Sequence, residues 1–194
     1  MKNPHLFLAL LLIAVSSFSF VKRPVYTKTS IVAVSKSLAF PVAGHSKIKD
    51  LWGASRGGGI RKHKGIDIHA RKGTPVVALC DGMIVERDHT LIGGKTLWLR
   101  SSEHGWKAYY AHLDKQYVKE GQYVKKGQVI GTVGNTGNAR LTPPHLHFGI
   151  AGGDGWINPF PYVKHASKVR VKTPAVKKHS KSKKPLKATK RKRR

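Results

Sequence analysis

The chain is poor in acid and nearly free of cysteine. Nine Asp and Glu stand against 37 Lys and Arg among 194 residues, and Cys80 is the single cysteine. One cysteine excludes an internal disulfide framework and any Cys-rich zinc knuckle, so the fold has to be held by an ordinary apolar core, which this length can supply. Long apolar runs are missing too. The run Leu6 to Val15 has ten residues, about half of the ~20 a membrane-spanning helix needs. Between Leu38 and Val163 no long stretch combines the helical apolar period with caps, which argues against a helical domain.

What is present divides the chain into four. Lys2, the apolar run and the small-x-small pattern Ser17-Phe18-Ser19 read as an export signal over residues 1–19. An uncleaved anchor is the alternative, and Ser16, Ser17 and Ser19 break the run that it would need. The mature protein is expected outside the cytoplasm, in the periplasm, on the cell envelope or secreted. Residues 20–37 are polar with little periodicity and read as a linker, and 38–163 hold the domain. All nine acids lie between Asp50 and Asp154, whereas Lys164 to Arg194 carries 15 Lys and Arg and no acid. A segment with so little to bury cannot offset the entropy of ordering, so 164–194 is expected to be a disordered tail. It is either a solvated tail or an adhesive for anionic envelope polymers or a membrane surface, with no specific nucleic-acid partner. A monomer is expected.

The domain reads as all-β and antiparallel. Val76 to Cys80 is a β-branched run, and Asp81-Gly82 before Met83-Ile84-Val85 has the form of a tight hairpin turn. Gly93-Gly94 offers another turn before Leu97 and Leu99, which alternate with polar or amphipathic neighbours. In a strand from Trp106 to Leu113 the period of two puts Trp106, Ala108, Tyr110 and His112 on one face. Glycines at 121, 127, 131, 134 and 137 punctuate the short strands that follow.

Histidine carries the chemistry. In an extended Pro144-His145-Leu146-His147-Phe148, both imidazoles share one face while Leu146 and Phe148 face an apolar interior. His63-Lys64-Gly65-Ile66-Asp67 supplies another imidazole and a carboxylate. Three such ligands leave one zinc position open, the arrangement of a hydrolase and not of a structural site. Either short motif alone is weak, since the chain has eleven histidines.

Their order along the chain is more specific. Arg61 to Ile68, Gly73-Thr74-Pro75-Val76-Val77-Ala78, Asp81-Gly82, Tyr110-Ala111-His112-Leu113, Gly131 to Gly137 and His145-Leu146-His147-Phe148 together resemble the lysostaphin-type, or LytM-like, zinc metallopeptidases that cut peptidoglycan peptides. The resemblance runs from about Phe40 to Val163. It implies zinc held by His63, Asp67 and His147, and a catalytic pair, His112 and His145. His145 is then the general base towards a metal-activated water, in place of the glutamate of His-Glu-x-x-His enzymes, and His112 stabilises the oxyanion. Two departures bear on substrate contacts: Gly149 stands where an acid often follows the last motif, and the loop Gly57-Gly58-Gly59 has no tyrosine. Val118 to Val133 also resembles the hairpins of lipoyl or biotinyl carriers, but no Met-Lys-Met-like triplet occurs. A metal-free, wall-binding regulator of another peptidoglycan hydrolase is the remaining alternative. His45, His69, His89, His104 and His165 read as surface residues, and Cys80 as a buried apolar one.

Overall fold

The computed structural model describes residues 28–171. The export signal and most of the basic tail lie outside the described residues. In chain order the elements are α1 (Lys28–Ser37), β1 (Lys47–Asp50), β2 (Ser55–Arg56), β3 (Arg61–Lys62), β4 (Ile66–His69), β5 (Pro75–Val77), β6 (Gly82–Thr90) and β7 (Gly94–Ser101). Then follow β8 (Lys107–Gln116), β9 (Tyr123–Val124), β10 (Val129–Val133), β11 (His145–Gly152), β12 (Gly155–Ile157) and α2 (Phe160–Val163). All strand pairs are antiparallel. The main path through the large sheet runs β1-β4-β11-β8-β7-β6-β9, with β10 joining β8 to β5 and β12 paired to β11; β2 and β3 form a separate ribbon.

Alternation decides which face is core. Leu146, Phe148 and Ile150 on β11, Ile66 and Ile68 on β4, and Leu97 and Leu99 on β7 are all fully buried. Each such side chain contributes ~1.5–3 kcal/mol by leaving water. Tyr110 joins them, its ring edge-on to Phe148 at 5.3 Å and its hydroxyl accepting a hydrogen bond from Leu79 N–H at 2.9 Å. The intervening residues, Asp67, His145 and His147, consequently face the other side of the sheet.

Three sequence expectations are corrected. Residues 20–37 are not simply a linker, because Lys28–Ser37 forms α1. Ile31 and Val34 pack against the core and Leu38 enters it, a three-and-four spacing too short to stand out in a polar segment. Asp81-Gly82 is no hairpin turn: β5 pairs with β10, and β6 pairs with β7 and β9. Gly82 is needed because a Cβ there would lie 2.2 Å from the Arg100 carbonyl oxygen, while the Asp81 carboxylate accepts from Lys126 N–H and Lys125 Nζ.

The third concerns His112. Ala108 and Tyr110 are interior as expected, but His112 has φ +60° and the β7–β8 register slips between Leu97 opposite Tyr110 and Lys95 opposite Leu113. One extra residue in β8 breaks the alternation. Leu113 takes the core position and His112 turns to the opposite face. At the C-terminal side the chain stays on the domain beyond Val163: Ser167 bridges Ala39, and Val169 and Val171 pack against Ala39, Ala43 and Val77.

Candidate metal centre and groove

Register brings the polar residues together. On β4 and β11, Asp67 lies opposite His147 and His69 opposite His145; on β8, Ala111 lies opposite His147, with His112 next in the chain. His63 follows the β2–β3 ribbon and reaches the same point. His63 Nε2 is 2.9 Å from His147 Nδ1 and 3.2 Å from Asp67 Oδ1, and His147 Nδ1 is 3.0 Å from Asp67 Oδ1. A tetrahedral ion with ligand bonds of about 2.0–2.1 Å sets its ligand atoms about 3.3 Å apart. The three donor atoms therefore already sit at nearly the spacing of three corners around a metal such as zinc, and they form the one such group among the described residues.

The protonation pattern fits as well. A carbonyl only accepts, so His63 Nδ1, 3.1 Å from the Leu51 oxygen, carries a hydrogen, and Nε2 is the ring nitrogen turned to Asp67 and His147. Burial opposes ionisation of Asp67, but hydrogen bonds with His147 and His63 outweigh it and hold the carboxyl well below the ordinary range. Burial pushes His147 down, towards the neutral ring. An ionised carboxylate beside neutral imidazoles is the state in which these groups ligate metals. Arg56 Nη2 donates to Asp67 Oδ2 at 2.5 Å, which leaves Oδ1 turned to the histidines.

His145 and His112 stand beside this cluster. Nδ1–H of His145 donates to the Pro143 carbonyl at 2.9 Å, and that of His112 to the Thr136 carbonyl at 2.9 Å. With Nδ1 so engaged, Nε2 is the atom that either ring, in its neutral form, offers as an acceptor. Their centroids are 5.0 Å apart, and that of His112 is 6.0 Å from the His147 ring. Burial first, then the charges of His145 and His147, push His112 down to about 4. His112 can donate to an oxyanion only after gaining a second proton, which its burial disfavours.

All five residues singled out in the sequence line one open groove of about 940 Å³. Arg56, His69, Tyr109 and Trp156 also line it and had not been singled out. His69, read as a surface residue, stacks on His145 with centroids 5.1 Å apart; its two-residue spacing from Asp67 was the available signal. Tyr109 packs with Trp98 and Trp156 in one aromatic cluster, and burial pushes its phenol up to about 12. At Gly149 a Cβ would lie 2.6 Å from the Trp156 ring, so the position where an acid often follows the last motif is closed by that indole.

The fold and the cluster define an antiparallel β-sheet domain with a candidate metal centre on the floor of an open groove. Residues 61–159 match the sequence profile of Peptidase family M23, and the chain belongs to that family. It is 35% identical over 136 residues to the L-Ala–D-Glu endopeptidase of Bacillus subtilis (strain 168), covering 64% of this chain and 41% of that protein. It is 34% identical over 148 residues to the murein hydrolase activator NlpD of Salmonella dublin, covering 74% of this chain and 37% of the activator. The catalytic domain of the antimicrobial peptidase lysostaphin from Staphylococcus simulans superposes with a TM-score of 0.55 at 36% identity, over 61% of this chain and 92% of that one. The chain spans less than half the length of these two curated relatives.

Proposed function

We propose that this protein is a zinc-dependent endopeptidase that hydrolyses cross-links or stem peptides of bacterial peptidoglycan outside the cytoplasm. His63, Asp67 and His147 would hold the ion. The observation that carries the reading is the convergence of one carboxylate oxygen and two imidazole nitrogens at 2.9–3.2 Å, with the other nitrogen of His63 held by the Leu51 carbonyl. Zinc held there supplies a Lewis acid that polarises the scissile carbonyl and makes water a competent nucleophile near neutral pH.

The chain's own residues do the rest. His145, locked by Pro143, offers Nε2 to take the proton of the attacking water and to return it to the leaving amine. His112, locked by Thr136, is the second acceptor; we assign it the oxyanion once it has gained a proton, since only the imidazolium can donate from Nε2. Export with removal of residues 1–19, a monomeric state, and adhesion of the Lys/Arg-rich C-terminal segment to anionic envelope polymers complete the proposal. Similarity to NlpD supports a second reading, an activator of another hydrolase that does not itself cut.

The two readings separate on purified protein and cell walls. The enzyme releases new peptide amines by itself in a chelator-sensitive reaction, and His145→Ala abolishes release while retaining about one zinc. An activator releases none until a second hydrolase is added. Loss of zinc in His145→Ala would contradict the division between base and ligand.

A further inference from the structure

The face of the sheet that carries the histidines also carries aromatic rings that the core does not use. Leu97 and Leu99 of β7 are core residues, so Trp98 between them, paired with Tyr109 of β8, faces the other way. Trp156 of β12 joins this pair, its ring centroid 5.4 Å from that of Trp98 and 5.8 Å from that of Tyr109. Its neighbour Ile157 is the β12 residue that packs against the core. All three rings are only half-buried.

The backbone is shaped to seat Trp156. A Cβ at Gly149 would lie 2.6 Å from the indole, so the ring rests on bare strand, and glycine inside a strand marks such close approaches while weakening the strand itself. The sheet therefore gives up some stability to keep a half-exposed indole outside the core. Trp52, also half-buried, lines a cleft of about 550 Å³ with Trp156 and the exposed Lys62 and Lys64. Trp52 is fixed relative to the metal centre, because Gly53 N–H donates to the His63 carbonyl at 2.9 Å and His63 N–H to the Ala54 carbonyl at 2.8 Å. Trp156, Lys62 and Lys64 line the groove as well, so the cleft and the groove adjoin.

An indole face is flat, apolar and electron-rich. A β-linked pyranose offers it a flat face of axial C–H bonds, and the hydroxyl and acetamido oxygens at the sugar's edge can accept from ammonium groups. An inorganic anion would use the lysines and leave both indoles idle. We propose that the Trp52–Trp156 cleft is a sugar subsite that takes a pyranose ring of a β-linked, N-acetylated amino-sugar chain. The subsite rests on the endopeptidase reading for its purpose alone, which is to hold the glycan strand bearing the peptide beside the metal centre.

Chitotetraose, the β-linked tetramer of N-acetylglucosamine, is titrated into the full chain with zinc chelated, by calorimetry and by nitrogen-15 NMR of the indole N–H groups. The chain has four tryptophans, and Trp106, 3% exposed, is the internal reference. Saturable binding is expected, with shifts at Trp52 and Trp156 and none at Trp106. Cellotetraose, which lacks the acetamido groups, should bind more weakly. Trp52→Ala should weaken chitotetraose by about fivefold or more while keeping its zinc content, its melting temperature and its turnover of a short glycan-free peptide. With zinc restored, the wild type should cut a peptide carried on a glycan strand faster than the same peptide free, and Trp52→Ala should reduce that advantage. No saturable sugar binding, shifts that leave Trp52 and Trp156 unmoved, equal binding of cellotetraose, or wild-type affinity in Trp52→Ala each overturns the proposal. Should Trp52→Ala not fold, the wild-type indole shifts decide alone. Sugar binding at these indoles without cleavage of any peptide sustains the subsite and removes the endopeptidase reading; cleavage without sugar binding does the reverse.

Discussion

Gly65→Ala is the sharpest perturbation of the candidate site that removes none of its functional groups. A Cβ at this position would lie 2.6 Å from the Phe148 carbonyl oxygen, 2.7 Å from His147 Cε1 and 2.9 Å from His147 Nε2. Ordinary contact begins at 3.4 Å, so the imidazole has to retreat by about 0.7 Å in a close-packed setting. Its strand cannot retreat with it, since β11 is hydrogen-bonded to β4 on one side and β8 on the other. Metal-ligand distances tolerate only about 0.2 Å, so the substitution should lower zinc affinity by roughly 10–100-fold or more and destabilise the fold by ~1–3 kcal/mol. Gly65 has no positive φ, so backbone strain contributes nothing. Gly73→Ala is the control: φ is +85° with no atom within 4 Å of the added methyl, which costs ~1–2 kcal/mol of backbone strain and leaves zinc affinity alone. Competition against a chromophoric chelator, with thermal unfolding of the same samples, reads both quantities. Zinc binding by Gly65→Ala as tight as wild type, or one profile shared by both variants, refutes the packing argument.

Other outcomes follow from the core and the termini. Tyr110→Phe orphans the buried Leu79 N–H and should destabilise by ~1–3 kcal/mol, lowering the melting temperature by roughly 3–10 °C; an unchanged melt would show that this N–H has another partner. Burial pushes the Cys80 thiol up to about 11, so native protein at pH 8 should resist thiol reagents that label it fully once unfolded. Because the folded value lies above the ordinary 9.0, Cys80 stabilises the fold below pH 9, and that contribution is lost as pH rises from 9 towards 11. Truncation after Val171 should weaken salt-sensitive adhesion to cell walls and leave turnover of a small peptide unchanged; equal loss on both would tie the basic segment to catalysis.

Much of the candidate site's geometry was legible because it depends on strand periodicity and on a motif order. His145 and His147 share a face with Leu146 and Phe148 behind them, as the period of two requires, and His63 and Asp67 meet them across β4. The identity of the sheet as antiparallel followed from short runs between glycines. What was not legible depends on backbone irregularity or on distant packing. His112 reaches the groove only through a bulge and a positive φ, and a strict alternation places it in the core. Asp81-Gly82 has turn chemistry, but close approach to Arg100 uses the glycine instead. Arg56 becomes a partner of Asp67 because the ribbon folds back over the site, and nothing within its own segment signals that. The helix α1 escaped notice since its apolar spacing appears only with Leu38 included.

X-ray absorption at the zinc edge on the purified full chain tests the proposed metal centre most directly. One zinc per chain is expected, with two imidazole nitrogens and a carboxylate oxygen among its ligands at about 2.0–2.1 Å, and His63→Ala should lose it. A chain that binds no stoichiometric zinc after reconstitution, or whose zinc spectrum survives His63→Ala unaltered, contradicts the account.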